Sequence, residues 1–189
     1  MKRRTLMVCL AALAAEVVPH ASRAQIFTDQ FNSQWYTIVS AAAANNITDV
    51  RTFIARRVNV NAADPQGRTA LSYAAELGNA EMAKELLDAR ASPDQRDKLG
   101  NLPLHWAANN GRVDVLKVLL AAHATVDATD KQGITPLMGA IAHKQPNAIK
   151  TLLAAGADPR KQDFTGRDAF GWAAGQPALA RLLQEPAKP

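Results

Sequence analysis

Glycine stands at Gly67, Gly100, Gly133 and Gly166, a spacing of 33 residues, and an aspartate precedes each by three, at Asp64, Asp97, Asp130 and Asp163. A period this short constrains the chain more than any single residue, because one unit of that length cannot bury its own apolar face. Successive copies have to stack, and the expected product is an all-α solenoid whose working part is a surface.

The copy from Asp97 to Thr129 shows what one unit contains. Asp97 and Gly100 frame a tight turn, Pro103 suits the first turn of a helix, and Leu104, His105, Trp106, Ala107 and Ala108 give that helix a packing face. Gly111 permits a reversal. In the segment that follows, Val115, Leu116, Val118, Leu119 and Leu120 recur at helical spacing, against Arg112, Asp114 and Lys117 on a wetter side. Each unit is therefore a helical hairpin plus an extended turn. The copy before it repeats Ala74, Ala75, Gly78, Leu86 and Leu87, and Thr69 is placed to cap its first helix. In the copy after it, Thr135 and Pro136 are cap and first-turn residue and Gly156 stands in the closing turn, where the copy from Asp97 has His123 in place of the expected glycine.

The order D-x-x-G-x-T-P-L-H-x-A-A, followed by an apolar helix ending in two leucines and a G-A-D turn, resembles the ankyrin repeat. Gly133-Ile134-Thr135-Pro136-Leu137, Leu104-His105-Trp106-Ala107-Ala108 and Gly156-Ala157-Asp158 carry the likeness. It is direct from Asp64 to Asp163. One period earlier, Ala41, Ala42, Asn45, Phe53, Ile54, Val58 and Asn61 fit a degenerate first repeat. After Asp163 the leucines Leu182 and Leu183 arrive three residues early, so the last hairpin is expected to be shortened. The units run 31–63, 64–96, 97–129, 130–162 and 163–185, inside one domain spanning 25–189.

Residues 1–24 have a different character. Lys2, Arg3 and Arg4 precede an apolar stretch from Leu6 to about Ala15, and Ser22 and Ala24 make a small-residue exit, the pattern of a secretory signal peptide cleaved after Ala24. Glu16 and Pro19 interrupt the run before it reaches the ~20 residues a membrane span needs. Cleavage removes four basic residues and Glu16, so the formal charge falls from +5 to +2, with 18 basic against 16 acidic residues remaining. The basic balance of the precursor is thus no argument for nucleic acid. Cys9, the only cysteine, leaves as well, and the mature chain owes nothing to disulfides. The localisation expected is the periplasm, and the chain is similar to bacterial periplasmic ankyrin-repeat proteins.

That resemblance implies a concave side built from turn tips and first helices, which binds protein partners. Its variable positions select Arg68, Glu76, Leu77, Lys98, Leu99, Asn101, Asn109, Asn110, Lys131, Gln132, Ile134, His143, Phe164, Thr165 and Arg167, with Arg96 near a finger base. Leu99, Ile134 and Phe164 are the expected apolar anchors. Arg96, Lys98 and Lys131 are the expected basic border, favouring an acidic partner surface. Tyr73, Trp106 and Trp172 recur at one first-helix position, where packing between helices is expected, and Gly139 breaks their row.

Covalent chemistry finds no foothold. His105, His123 and His143 are not spaced as a ligand pair, His105 stands where the family histidine makes structural hydrogen bonds, and no cysteine remains to help. The four turn aspartates are explained by the period. The expectation is a non-enzymatic adaptor or accessory protein without cofactor or metal, monomeric when unbound, with no nucleic-acid partner and no stable membrane insertion after cleavage. An inhibitor or protective subunit of a periplasmic enzyme, and an envelope-organising protein, are the alternatives.

Overall fold

The computed structural model describes residues 37–184; the expected signal peptide and its expected cleavage site, Cys9, the start of the first expected unit and residues 185–189 lie outside that range. Among the described residues the chain forms paired helices: α1 (Ile38–Ala43) with α2 (Ile47–Ala55), α3 (Ala70–Leu77) with α4 (Ala80–Asp88), α5 (Pro103–Asn109) with α6 (Val113–Ala121), α7 (Pro136–Ala142) with α8 (Pro146–Ala154), and α9 (Ala169–Trp172) with α10 (Pro177–Gln184). None of them is long and apolar enough to cross a membrane.

Helix starts follow the sequence signals. The hydroxyls of Thr69 and Thr135 accept from the amides of Ser72 (3.2 Å) and Met138 (3.3 Å), satisfying donors a helix leaves open. Pro103, Pro136 and Pro146 occupy first-turn positions, where a missing N–H costs nothing. Reversal between the helices uses a left-handed residue, φ +85° at Gly78 and +63° at Gly111. The same position holds Asn45 (φ 56°) and Lys144 (φ 54°), which carry a side chain into a region that favours glycine. His123, the replacement noted in the sequence, also sits at φ 59°.

First helices stack on first helices and second on second, and each hairpin also packs within itself. The core is the seam between the two rows. Ala74, Ala75, Ala107, Ala108 and Ala140 are small enough to bring neighbouring first helices close, while Leu86, Leu116, Leu119, Ile149 and Leu152 fill the second-helix side, all fully buried. Val118 and Leu120 are only half-buried. On the second-helix side Arg51 of α2 pairs with Glu81 and Glu85 of α4, both at 2.6 Å. The final hairpin is shortened as expected. The loss falls on α9, which has four residues against seven in α7.

Candidate functional site

Each 33-residue unit projects a turn whose shape is set by its aspartate. In all four turns one carboxylate oxygen accepts two amides: Gln66 and Arg68 for Asp64, Leu99 and Asn101 for Asp97, Gln132 and Ile134 for Asp130, Thr165 and Arg167 for Asp163, at 2.8–3.0 Å. The aspartate amide donates to the carbonyl four residues on, and the turn glycine donates back to the aspartate carbonyl. A Cβ on Gly100 would lie 2.7 Å from the Lys131 amide nitrogen, so this glycine is required by the approach of the next turn as well as by its φ of +88°.

Adjacent turns are tied tip to tip. The amide of Lys98 donates to the Gln66 carbonyl (2.8 Å), that of Lys131 to Leu99 (3.0 Å) and that of Phe164 to Gln132 (3.0 Å). A second ladder runs through the inter-repeat loops, where the side chains of Asn61, Asp94 and Asp127 accept from the amides of Ser92, Thr125 and Asp158 at 2.8–3.1 Å. Side chains at the tips are therefore presented on a braced backbone, which limits the ordering cost of binding.

The aromatic residues link turn to helix. The Tyr73 hydroxyl donates to Asp64 (2.7 Å), and the indoles of Trp106 and Trp172 donate to Asp97 (3.2 Å) and Asp163 (3.0 Å). Burial works against ionisation of Asp64, but the Tyr73 hydroxyl and the Arg68 and Gln66 amides outweigh it and hold the carboxyl below its ordinary range. Asp163 is held down to about 2 by the Thr165 hydroxyl, against the effect of desolvation, with the Arg167 and Thr165 amides and the Trp172 indole assisting. Tyr73 is pushed up by burial and by its bond to Asp64.

Residues 8–97 and 89–163 match the family described as ankyrin repeats (3 copies), and together these segments span most of the chain. The chain belongs to the ankyrin-repeat family. Among curated proteins none matches it. The ankyrin-repeat fold is a protein–protein interaction module and a non-catalytic scaffold, and among the described residues no cluster of three or more His, Cys, Asp or Glu is placed to hold a metal ion.

Within the ankyrin stack the expected partner-binding residues divide into two groups. Lys98, Leu99, Lys131, Gln132, Phe164 and Thr165 stand exposed along the tip row, with Leu99 at 65% and Phe164 at 78% exposure. Leu77 and His143 are exposed at the ends of α3 and α7, and the His143 imidazole is bonded to the Gly139 carbonyl (2.9 Å). The other group is tied to the scaffold. Arg96 is exposed, yet its guanidinium donates to the Gly100 and Thr129 carbonyls (2.9 and 2.5 Å) as a strut between fingers. Asn101 donates to Asp97, Asn110 to the Trp106 carbonyl, and half-buried Ile134 offers its carbonyl to His105. Arg68 pairs with Glu76, and Arg167 donates through Nε to Thr165 Oγ1 (3.1 Å).

Two features correct the sequence reading. Tyr73, Trp106 and Trp172 are half-buried rather than core, because their polar edges face the turn aspartates and their faces lie under arginines. Where Gly139 breaks the row, the Asn109 amide takes the space: a Cβ on Gly139 would meet Asn109 Oδ1 at 2.1 Å, and that oxygen is buried without a hydrogen-bond partner. The sequence reading also missed the stacked arginines. Their signal was present, since Arg68 precedes Tyr73 and Arg167 precedes Trp172 by five residues at the same register. His105 is structural, as expected: its Nδ1 accepts from the Leu102 amide (3.2 Å) and its Nε2 meets the Ile134 carbonyl of the next repeat (3.1 Å). Burial pushes it below its ordinary value of 6.5, although the Ile134 carbonyl pulls the other way.

Proposed function

We propose that the mature chain works in the periplasm as an adaptor or accessory protein, a monomer when unbound, and that it recognises one protein partner through the tip row and the first helices. The observation that carries this reading is the contrast within the tip row. Its backbone is braced by turn-to-turn hydrogen bonds, while Leu99 and Phe164 expose large apolar groups that no fold energetics require. Among the described residues Lys98 and Lys131 have no ion pair, and they add a positive margin that suits an acidic partner surface. The leader composition supports the compartment, since its basic start, apolar run and Ala24 exit have the order a secretory signal needs.

The test is affinity capture from the native periplasm with the unmodified protein and with a Leu99→Ala, Phe164→Ala variant of unchanged circular dichroism. A partner retained by the first and lost by the second is the expected result. Equal recovery on both sinks the tip row as the recognition surface. N-terminal sequencing of the exported protein checks the compartment, with Gln25 as the expected first residue.

A further inference from the structure

The same arginine position is closed between two rings in one repeat and stacked on a single ring in another. In the second repeat the Arg68 guanidinium lies between two rings, 4.0 Å from the Tyr73 centroid and 4.1 Å from that of Trp106 in the next repeat, and it is paired with Glu76. Its side chain is 15% exposed. Arg167 holds the equivalent position in the last repeat, 4.2 Å from the Trp172 centroid. Among the described residues no second ring lies over it. The residue at the place of Glu76 is Gly175, which has no carboxylate. Among the described residues Arg167 is engaged through Nε alone, with Thr165 Oγ1 at 3.1 Å and Asp163 Oδ2 at 3.5 Å, and its side chain is 53% exposed. Phe164 and Phe170, both exposed, belong to the same unit.

We propose that this open stack is a docking position for an aromatic side chain of a protein partner that carries a carboxylate beside it. The closed stack specifies the occupant: a ring takes the place of Trp106 on the outer face of the guanidinium, and a carboxylate takes the place of Glu76 on its terminal nitrogens. Charge complementarity and planar stacking act together there, which is why arginine rather than lysine suits the site. This proposal rests on the tip-row reading above and adds the chemistry recognised at its C-terminal end.

The probe is the peptide acetyl-Ala-Glu-Trp-Glu-Ala-amide, titrated into the full chain labelled with nitrogen-15 while the Trp172 indole N–H is followed by NMR, its assignment given by Trp172→Phe. A saturable shift is expected, weakened about fivefold or more when the peptide tryptophan becomes alanine or its glutamates become glutamines. Arg167→Ala should lose the response and Arg167→Lys should weaken it, whereas Arg68→Ala should leave it intact. No saturable shift at millimolar peptide, or an undiminished one in Arg167→Ala, overturns the proposal. So does a Trp172 signal that moves with protein concentration alone, which assigns the position to a second copy of this chain. Capture of a native partner that needs Leu99 and Phe164 but not Arg167 overturns this proposal and leaves the tip-row reading standing. An Arg167-dependent peptide response with capture indifferent to Leu99 and Phe164 does the reverse.

Discussion

The third repeat and the last are laid out on one register and buried to different depths. In the third, the first helix has seven residues, and Leu104, Leu116 and Leu119 are wholly out of water. In the last, the first helix has four residues, and Leu179 and Leu183 keep 8% and 7% exposure. An internal hairpin is covered on both sides by its neighbours, whereas the terminal one has a single neighbour and ends in a helix pair that faces nothing further among the described residues. Position in the stack, more than composition, sets how much a leucine contributes here.

The largest effect that can break this comparison is a cavity. Leu116→Ala should cost about 3–4 kcal/mol and Leu183→Ala about 1–2 kcal/mol, because the end of the array relaxes around the loss. Urea unfolding followed by far-ultraviolet circular dichroism measures both, and equal losses would show that the last hairpin is as deeply integrated as the third.

The turn aspartates give the next largest difference. Asp97→Ala strips the acceptor from the Leu99 and Asn101 amides and from the Trp106 indole, in a finger covered by the next one. A loss of about 2–3 kcal/mol is expected from donors left without a partner. Asp163 is as buried as Asp97, but its donors Thr165 and Arg167 both belong to exposed residues, so Asp163→Ala leaves amides that water can reach and its loss should be the smaller of the two in the same unfolding measurement.

Acid should separate the regions as well. His105 is buried and neutral between the third and fourth repeats, with its folded value below 6.5. Below that pH the unfolded chain binds the proton more readily, so stability present at neutral pH declines as the pH falls. His105→Gln should flatten that decline. Asp163 titrates lower: its contribution is complete above its ordinary 3.8 and disappears as the pH falls towards about 2. Thermal midpoints measured across these two windows, with the protein and the His105→Gln variant side by side, decide the assignment; a decline that His105→Gln leaves unchanged would refute it.

The smallest expected effect is a gain. Lys144→Gly and His123→Gly relieve side chains held at φ 54° and 59° and should each stabilise by about 0.5–1 kcal/mol. A shift of the same sign and size at both sites, read from urea midpoints, supports backbone conformation as the cause. A loss at either means that its side chain makes a contact worth more than the strain.

Much of the fold is legible along the chain because its determinants are local. The aspartate and glycine of each turn, the caps at Thr69 and Thr135, the prolines at Pro103 and Pro136 and the alternation of alanine and leucine faces act within a few residues of themselves. Each was readable, and the early leucines near Leu182 foretold the shortened end. The site was less legible. Arg96, Asn101 and Asn110 satisfy every sequence criterion for variable surface residues, yet each donates its hydrogen bonds to the scaffold. Nothing in their type distinguishes a strut from a contact residue.

The chain alone therefore specified a stack of helical hairpins, its register, its turns and the shortening of its last member, since these follow from periodic burial and backbone geometry within one unit. The packed array settled which polar side chains are spent between units: the loop ladder of Asn61, Asp94 and Asp127, the closing of Arg68 between two rings, and the Asn109 amide lodged against Gly139. Those outcomes depend on how far a side chain on one repeat reaches into the next, a distance set by stacking and written in no single repeat.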